Sequence, residues 1–480
     1  MNAADEICRL DASELALRIR EKQLSPVEVL DAHEERIAAL NPGLNAIVTP
    51  NAQARSEALN AERSVMRGDE LGRLHGVPFT AKDSFDTAGL RTARGSLLFA
   101  DNTPAGDATT IERLRSAGGI LLGKTNIPEF VLWVETDNRI SGPTCNPWDL
   151  TRTPGGSSGG EGAAIATGMS PLGLGSDLAG SIRLPAHYCG IFGFKPTHGR
   201  VPLTGHWPQT LQRFTHAGPM ARSIRDIRLA LEVLEGGDGH DWFADRVSVN
   251  GRPTRSLDSL RVGWIAGTSF GPLHPDVAKA VDSAAAALAH VVHSVAAVSI
   301  PQLSDCDYDL LTMQLFGAEG APYFEQITKN RTDQLSDILR DRLAAAPPTL
   351  AEYVAAESVV EKLRQNLMSY FQEFDILLCP TSPTTAPTRG QPHVEIDGQQ
   401  RRGRSVLRAT VPFDLAGVPA VSVPCAVSGR GLPIGIQVIG SWGQDHEVLD
   451  VADALMQAMT GAGIAALAPI AANRNGLDDA

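Results

Sequence analysis

Two glycine-rich stretches, TPGGSSGGEG (residues 153–162) and GLGSDLAGSIRLPA (residues 173–186), decide the fold and the chemistry of this chain. They contain several serines, an aspartate and an arginine, and neither contains a histidine. Between the serines, GGEGAAIATGM predicts a small-residue helix that packs closely, and SPLGLGSD predicts a buried strand that leads into a turn. A serine hydroxyl is a weak nucleophile until a base activates it, so the base must come from elsewhere in the chain.

The sequence around these stretches alternates between helix and strand patterns. VPFTAKDSF (77–85) is an apolar run crossed by one lysine, and it predicts a buried strand followed by a turn. TTIERLRSAGGILLGKTNIPEF predicts a helix, a Gly-Gly turn and a strand, while VPAVSVPCA and PIGIQVIGS predict paired strands. The N-terminal pattern is helical and breaks near Ser25–Pro26, where a second helix can begin. This alternation is typical of the α/β class.

Composition limits the classes of partner. The chain has 480 residues, 43% hydrophobic and 20% charged, as in an ordinary globular protein. Its net charge of −13 argues against a broad phosphate-binding surface, and a short solvated loop explains the basic residues Arg401, Arg402 and Arg404. The N-terminus lacks the order of a signal peptide, and no stretch approaches the ~18 apolar residues that span a bilayer. Six dispersed cysteines fit reduced thiols, so we expect a cytoplasmic protein that binds neither nucleic acid nor membrane.

Three common types of site fit the sequence poorly. The run Gly156-Ser157-Ser158-Gly159-Gly160 satisfies G-x-S-x-G, but a nucleophile elbow must follow a strand, and a polar, proline-bearing loop precedes this run. A phosphate-binding loop would need the missing G-K-[ST] ending. The histidines are scattered, and His187 and His198 do not have the spacing of metal ligands on one helix face, so we expect no metal and no cofactor.

Lysine can replace histidine as the base, provided that burial keeps it neutral. Lys82 in GVPFTAKDSF lies in an apolar, strand-like context, and Lys124 in ILLGKTN and Lys195 in IFGFKPT are rivals by the same criterion. For any one of the three, a structural lysine that extends its ammonium group to water is the more ordinary interpretation. Local sequence context alone therefore leaves the base open.

Residues 155–202, GGSSGGEGAAIATGMSPLGLGSDLAGSIRLPAHYCGIFGFKPTHGRVP, strongly resemble the core signature of the amidase signature family of serine hydrolases. The flanking runs GVPFTAKDSFDTAGL, GKTNIPEF, GPTCNPWDLTRTPGGSSGG, GPMARSIRDI, DILLCPTSP and GLPIGIQVIG extend the similarity over residues from about 70 to 450. The resemblance implies an α/β fold with a large mixed β-sheet flanked by helices on both sides. It also implies hydrolysis of C–N bonds through an acyl-enzyme.

The family pattern implies a role for each matching residue of this chain. Ser181 would be the nucleophile, Ser157 a bridging serine after a cis peptide bond, and Lys82 the base. The backbone N–H groups of Leu178, Ala179, Gly180 and Ser181 would form the oxyanion hole, with Ser158, Asp177 and Arg183 as supporting residues. Two positions depart from the pattern: Ala179 replaces a common glycine, where we expect reduced space and retained activity, and Asp414 replaces a common asparagine.

We expect a single domain over residues 1–480. Within it we distinguish N-terminal helices (1–65), a signature core (about 70–225), a variable substrate-pocket region (240–405) and a C-terminal part of the core (406–460).

Aromatic residues in the variable segments suggest the substrate. Trp133, Trp207, Phe316 and Tyr323 are candidates for the wall of an apolar pocket, although each is individually more typical of ordinary packing. They favour a stand-alone amidase of the aryl-amide or urethane branch, acting on small hydrophobic or aromatic amides, carbamates or esters, as a possible homodimer. The alternative is the glutaminase subunit of an amidotransferase, which acts with partner subunits on a misacylated tRNA.

Overall fold

The computed structural model describes residues 3–247, 254–265 and 268–461. The strands are β1 Ile47–Pro50, β2 Pro78–Lys82, β3 Ile120–Thr125, β4 Leu172–Asp177, β5 Phe192–Lys195, β6 His216–Ala221, β7 Arg261–Trp264, β8 Ser294–Ala297, β9 Ile376–Pro380, β10 His393–Ile396, β11 Gln399–Arg402, β12 Ala420–Val427 and β13 Pro433–Gly440.

The helices that pack around these strands are α1 Ala3–Arg9, α2 Ala12–Arg20, α3 Pro26–Leu44, α4 Ala54–Arg67, α5 Thr109–Ser116, α6 Gly159–Ala166, α7 Arg183–Cys189, α8 Ile224–Leu234, α9 Pro275–Leu288, α10 Pro301–Asp305, α11 Tyr308–Thr328, α12 Asp337–Ala344, α13 Leu350–Glu373, α14 Val411–Ala416 and α15 Asp445–Gly461. No helix in the described part of the chain is long and apolar enough to cross a bilayer.

Within the described residues, eleven strands form one mixed sheet in the order β1-β3-β2-β4-β6-β5-β12-β13-β9-β7-β8. β2 pairs in parallel with both β3 and β4, and β7 pairs in parallel with β8 and β9, whereas the strands between these two groups pair antiparallel. The α/β class and the large mixed sheet expected from the sequence are confirmed. β2 and β4, which carry the site described below, are direct neighbours.

Both faces of the sheet are covered, as side-chain alternation along the strands requires. Val421 of β12 and Val438 of β13 belong to one large apolar cluster, which includes residues of α8, α9 and α15. Their chain neighbours Ala420 and Ile439 belong to a second cluster, built with α11, α13 and α14. Helices therefore lie on both sides of the sheet, as predicted.

The glycines of LGLGSD allow α6 to lie very close to β4. A Cβ atom on Gly173 would overlap the carboxylate of Glu161 in α6, and one on Gly175 would lie 3.2 Å from the Ser158 hydroxyl oxygen. Side chains on this face of β4 would push the helix away. The small residues of both elements thus bring the loop that holds Ser157 and Ser158 against the strand that leads to Ser181.

Local signals fix the ends of several helices where the sequence predicts them. α3 begins with a capping box, in which the Ser25 hydroxyl and the Glu28 carboxylate cap each other's backbone N–H groups and Pro26 takes the first helical position. The polar stretch 386–405 holds the β10–β11 hairpin, which pairs outside the main sheet. The boundaries expected between 1–65, 70–225, 240–405 and 406–460 stay predictions.

Candidate active site

Lys82 ends the buried strand β2, and its side chain reaches the glycine-rich loop. Its nitrogen lies 2.7 Å from the Ser157 hydroxyl oxygen, 3.0 Å from the Ser176 hydroxyl and 3.1 Å from the Ser176 carbonyl oxygen. Lys82 is 0% exposed and Ser157 is 1% exposed. Three contacts match the three N–H donors of an ammonium group and equally the two donors and one lone pair of a neutral amine, so this site accommodates both protonation states of Lys82.

Burial determines the protonation of Lys82. Desolvation lowers its pKa to about 7, and the charges of Asp177 and Glu161 oppose that shift. A lysine with this pKa is neutral in a large fraction of molecules at neutral pH. It can therefore accept a proton from the adjacent serine hydroxyl.

The two rival lysines have other partners. Burial lowers the pKa of Lys124 to about 8, and its ammonium group donates to the Phe85 carbonyl and, at 2.8 Å, to the Thr87 hydroxyl. Burial lowers the pKa of Lys195 to about 7, and this lysine donates to backbone carbonyls of Pro196 and Val418. Lys82 is the one of the three that contacts a catalytic candidate serine.

The structure brings Ser157 and Ser181 into neighbouring loops. The Gly156–Ser157 peptide bond is cis, and the next residue, Ser158, donates its N–H to the Ser181 carbonyl oxygen at 3.2 Å. The Ser158 hydroxyl donates to the Ser176 carbonyl at 3.3 Å. Ser181 is partly exposed, and its hydroxyl takes part in no hydrogen bond within the described residues. Lys82 and Ser157 are thus in direct contact, while Ser181 is linked to the Ser157 loop through the hydrogen bond that its carbonyl oxygen accepts from Ser158.

The turn that leads into Ser181 carries the backbone N–H groups predicted to form the oxyanion hole. Gly180 has a φ of 120°, a left-handed conformation that favours glycine, and its N–H donates to the Asp177 carboxylate. That contact leaves the N–H groups of Leu178, Ala179 and Ser181 as the remaining candidates for an oxyanion hole. The Thr410 hydroxyl holds the turn from behind by donating to the Ala179 carbonyl at 2.6 Å.

A buried ion network supports this turn. The Arg183 guanidinium donates to Asp177 at 3.0 Å, to Asp414 at 2.6 Å and to the side-chain oxygen of Gln437 at 2.8 Å, and all four side chains are buried. Burial alone would raise the pKa of Asp177, but the charge of Arg183 holds that pKa well below its usual range. Burial and the charge of Asp177 raise the pKa of Asp414 well above its usual value. The two carboxyl groups therefore share one proton between them.

Several of these partners were not among the site residues predicted from the sequence, although Glu161 and Ser176 lie within the two glycine-rich stretches. Ser176 adjoins Asp177 on β4, and Thr410 and Gln437 come from distant segments of the chain. Glu161 in α6 is also buried, accepts hydrogen bonds from Thr80 and Thr125, and has a pKa that burial raises to about 7. Only the fold places these residues beside Lys82 and Arg183.

A cavity of about 820 Å³ adjoins the site, and Trp133 forms part of its wall. The Trp133 carbonyl oxygen would lie 2.8 Å from a Cβ atom on Gly156, and the residue packs in the same apolar cluster as Leu178 and Ala179. Trp133 thus lines the cavity and also lies against Gly156, whereas Lys82, Ser157 and Ser181 are not among the residues that line it. The size of the cavity is ordinary for a small-molecule pocket.

The other three aromatic candidates lie in packed clusters. Trp207 is 5% exposed, and its ring lies 4.7 Å from that of Phe130 in an edge-on arrangement. Tyr323 joins this cluster and accepts a hydrogen bond from the Gln209 N–H through its hydroxyl, at 3.2 Å. Phe316 packs against Phe214, with 5.9 Å between ring centroids. Trp207 and Tyr323 share their cluster with Leu132 and Leu339, which line the cavity, and Trp133 is the one of the four candidates that lines it directly.

The interpretation of the basic run as a solvated loop is wrong for Arg404. Arg402 is exposed, but Arg404 lies in a short 3₁₀ helix, and its Nε is buried with no hydrogen-bond partner among the described residues. This guanidinium lies against α11, where it donates to the Thr312 hydroxyl at 3.0 Å.

Comparison with known proteins places the chain in a family. Its residues 28–449 match the model of the Amidase family. A glutamyl-tRNA(Gln) amidotransferase subunit from Deinococcus radiodurans is 35% identical over 475 residues, covering 92% of this chain and 96% of the relative. The corresponding protein from Picosynechococcus sp. is 33% identical over 469 residues, covering 91% and 95%. The chain belongs to the Amidase family, whose members act on amide bonds.

Solved structures agree on the fold. A structure from a vestigial protein complex, described in connection with the origins of an s-triazine catabolic enzyme, has a TM-score of 0.87 at 31% identity and covers 95% of this chain and 100% of its own. The 6-aminohexanoate cyclic dimer hydrolase has a TM-score of 0.84 at 30% identity, with coverage of 94% and 97%. The glutamyl-tRNA(Gln) amidotransferase subunit from Thermotoga maritima has a TM-score of 0.75 at 27% identity, with 94% of each chain covered.

These relatives correct two expectations. The assignment to a stand-alone aryl-amide or urethane branch is wrong, because the curated relatives are glutamyl-tRNA(Gln) amidotransferase subunits. The expectation of a small-molecule substrate alone, with no nucleic acid, is wrong for the same reason. The aromatic residues that favoured that branch are mostly packing residues, so they carried little information about substrate.

Proposed function

We propose that the chain hydrolyses a carboxamide through a Ser181–Ser157–Lys82 relay. Ser181 Oγ attacks the amide carbonyl carbon while its proton passes to Ser157 Oγ, and the Ser157 proton passes to neutral Lys82. In the reverse direction Lys82 returns a proton through Ser157 to the leaving nitrogen, which departs as ammonia or an amine when the C–N bond breaks. Water then hydrolyses the acyl-serine ester. The observation that carries this proposal is the 2.7 Å contact between Lys82 and Ser157 in a buried setting.

The turn at residues 178–181 stabilises the transition state. The N–H groups of Leu178, Ala179 and Ser181 donate hydrogen bonds to the carbonyl oxygen as it becomes negatively charged. Such preorganised donors typically contribute several kcal/mol, about 3 for a single donor. The Arg183 guanidinium lies 3.0 Å from the Asp177 carboxylate. This carboxylate accepts hydrogen bonds from the N–H groups of Gly180 and Ile182, and these contacts hold the turn in the required shape.

For the substrate, we propose the side-chain amide of glutamine, with the ammonia transferred to an acceptor held by partner subunits on a misacylated tRNA. The similarity over more than nine-tenths of the chain to glutamyl-tRNA(Gln) amidotransferase subunits supports this choice. Ammonia is a small leaving group, so the site needs no large pocket on the leaving-group side of Ser181.

The test measures ammonia release from glutamine by the wild type and by Ser181→Ala, alone and with candidate partner subunits of the same organism. We expect glutamine hydrolysis that requires Ser181, co-purification with a partner protein, and amidation of misacylated tRNA by the assembled complex. Retained hydrolysis by Ser181→Ala would show that Ser181 is not the nucleophile. A wild-type enzyme that does not hydrolyse glutamine but hydrolyses other amides would contradict the amidotransferase role and leave the catalytic relay intact.

A second candidate is hydrolysis of an amide other than glutamine. The TM-scores favour it, since 0.87 and 0.84 for proteins connected with s-triazine and 6-aminohexanoate cyclic dimer catabolism exceed 0.75 for the Thermotoga maritima protein. A panel containing glutamine, a simple alkyl amide, an anilide and a carbamate distinguishes the two candidates. A kcat/KM that is highest for a neutral amide would support the second.

A further inference from the structure

Thr410 is a buried threonine whose hydroxyl does not cap its own helix. It is the N-cap residue of α14, a position at which a threonine hydroxyl ordinarily accepts a hydrogen bond from a backbone N–H of the first turn. The Thr410 side chain makes no such bond, although the residue is 0% exposed. Its hydroxyl contacts the turn that leads into Ser181 instead.

That contact joins two distant segments of the chain. The Thr410 hydroxyl oxygen lies 2.6 Å from the Ala179 carbonyl oxygen and 3.0 Å from the Leu407 carbonyl oxygen. A carbonyl oxygen only accepts, so the hydroxyl is the donor, and its single proton favours the shorter contact. The bond to Leu407 is a local one of a kind that threonine often makes. The bond to Ala179, in contrast, spans 231 residues of sequence.

The peptide unit between Ala179 and Gly180 is thereby held at both of its polar ends. Thr410 donates to its carbonyl oxygen, and the Asp177 carboxylate accepts from its N–H. Thr410 also packs directly on Gly180, because a Cβ atom there would overlap the Thr410 hydroxyl and lie 2.8 Å from Thr410 Cβ. Gly180 has a φ of 120°, and the wide conformational range of glycine would let this peptide rotate if nothing held it.

Arg183 and Gln437 fix the position of Thr410 itself. The Arg183 guanidinium donates to the Thr410 carbonyl oxygen at 3.1 Å, and the same guanidinium pairs with Asp177. The Gln437 side-chain amide donates at 2.8 Å to the carbonyl oxygen of Ala409, the preceding residue. Both groups that hold the peptide are therefore attached to one buried arginine, and the hydroxyl cannot leave the turn without breaking these contacts.

The N–H groups on either side of this peptide are free for a substrate. Within the described residues, the backbone N–H groups of Leu178, Ala179 and Ser181 make no hydrogen bond, and these three residues are partly exposed, whereas Gly180 is buried. A rotation of the held peptide would change the directions of the N–H groups that flank it. Such donors stabilise a transition state only when they point at the oxygen on which charge develops.

We propose that Thr410 is a positioning residue for the oxyanion hole. By holding the Ala179 carbonyl, its hydroxyl keeps the flanking N–H groups aligned with the carbonyl oxygen of the bound amide, and it does so from a buried place that the substrate does not reach. Loss of the hydroxyl should weaken transition-state stabilisation and leave the binding of the intact substrate nearly unchanged. The inference rests on the proposed hydrolysis at Ser181.

The test compares Thr410→Val, which keeps the shape of the side chain and removes the hydroxyl, with Thr410→Ser, which keeps the hydroxyl. The substrate is the one that the wild type hydrolyses fastest among glutamine, a simple alkyl amide, an anilide and a carbamate. We expect Thr410→Val to lower kcat about 10- to 100-fold with KM within about twofold, a smaller loss than removal of an oxyanion donor itself causes. Thr410→Ser should keep most of the wild-type kcat.

Thr328→Val is the matched control. The Thr328 hydroxyl is also buried and donates to a backbone carbonyl, that of Phe324 in α11, at 2.8 Å. The two valine variants lose a bond of the same type and should lose similar thermal stability, but Thr328→Val should keep the wild-type kcat. Wild-type kcat in Thr410→Val, or equal losses of kcat in both valine variants, would overturn the positioning role. If Thr410→Val does not fold, Thr410→Ala takes its place with the same expected results.

A tetrahedral analogue separates positioning from substrate binding. With the aldehyde that matches the acyl group of the test amide, Ser181 Oγ adds to the aldehyde carbon and its proton passes through Ser157 to Lys82, which leaves an oxyanion in the hole. The matching primary alcohol binds without forming this adduct. The inhibition constant of the aldehyde should rise in Thr410→Val by the factor by which kcat falls, while that of the alcohol stays constant. Equal rises in both constants would contradict the inference.

Failure of the proposed hydrolysis has a different signature. If the wild type hydrolyses none of these substrates, hydrogen–deuterium exchange of peptides that cover residues 178–182 still tests the contact of Thr410 with the turn. The Gly180 N–H is bonded to Asp177 and should exchange slowly in the wild type and in Thr328→Val. It should exchange at least about tenfold faster in Thr410→Val, as expected when a buried hydrogen bond that holds the turn is lost. Equal exchange in all three proteins would overturn the positioning role.

Discussion

The side-chain nitrogen of Lys82 lies 2.7 Å from the hydroxyl oxygen of Ser157, and both side chains are buried. A lysine on the surface would be charged and could only donate to this hydroxyl. Burial changes that balance, because removing water penalises the ammonium form much more than the neutral amine. The same apolar setting that marks Lys82 in the sequence thus gives it the property that a base needs.

The activity should depend on pH through Lys82. Desolvation lowers the pKa of this lysine to about 7, and the base is active when it is neutral. We therefore expect kcat/KM to rise with pH through about 7 and to reach a plateau above it, with about tenfold loss for each pH unit below. A pH–rate profile on glutamine measures this. A rate that keeps rising about tenfold per pH unit up to about pH 8.5 would show that the lysine has an ordinary pKa, and a flat profile from about pH 5.5 to 8.5 would show that Lys82 is not the base.

Glu161→Gln should move that profile to lower pH. The negative charge of Glu161 raises the pKa of Lys82, so removing the charge should make the lysine easier to deprotonate. Glutamine keeps a side-chain oxygen that can accept from the Thr80 hydroxyl, which lies 2.6 Å from the native carboxylate. The midpoint should fall by about half a unit to one unit, as for one charge at moderate distance. An upward shift would contradict the proposed electrostatic role.

Ser181→Ala and Ser157→Ala test two different roles, nucleophilic attack by Ser181 and proton transfer through Ser157. Alanine at 181 removes the nucleophile, and we expect a loss of about 10³-fold or more in kcat with little change in thermal stability, since Ser181 is partly exposed. Alanine at 157 keeps the nucleophile and breaks its link to Lys82, so a comparable loss should follow because relay members act as a unit. The double variant should then be no worse than either single variant. Losses that multiply would show that the two serines act independently.

Much of this site was predictable because its residues lie in continuous segments. The strand at VPFTAKDSF, the small-residue helix and the strand at LGLGSD are each encoded by local pattern, and the structure confirms all three at β2, α6 and β4. Their adjacency follows from parallel pairing of β2 with β4. The contact between Lys82 and Ser157 is therefore close to what local pattern and the family resemblance imply.

Other parts of the site could not be predicted from one sequence. Asp414 and Gln437 reach Arg183 from positions more than 200 residues away, so no spacing rule connects them. Arg404 lies in a polar run typical of a solvated loop, and only its contact with Thr312 of α11, a residue distant in sequence, shows that its guanidinium is partly buried. The pocket role of the aromatic candidates stays a prediction, because composition does not distinguish a ring that lines a cavity, such as Trp133, from one that packs in an apolar cluster, such as Trp207.

The last prediction concerns the proton shared by Asp177 and Asp414. Arg183 lies 3.0 Å from the first carboxylate and 2.6 Å from the second, and burial together with the charge of Asp177 raises the pKa of Asp414 well above its usual value. Asp414 is thus the protonated, neutral member of the pair. Asparagine, the common residue at this position in the family pattern, resembles that neutral form.

Asp414→Asn should therefore change the free energy of unfolding by less than about 1 kcal/mol, because it preserves a neutral acceptor for Arg183. Asp177→Asn should cost about 3–5 kcal/mol, because it leaves Arg183 without its ionised partner in a buried place. It also weakens the acceptor of the Gly180 and Ile182 N–H groups, so activity should fall as well. Urea denaturation of both variants at neutral pH measures the difference. Equal destabilisation by the two substitutions would show that Asp414 is ionised and that the proton is not shared in this way.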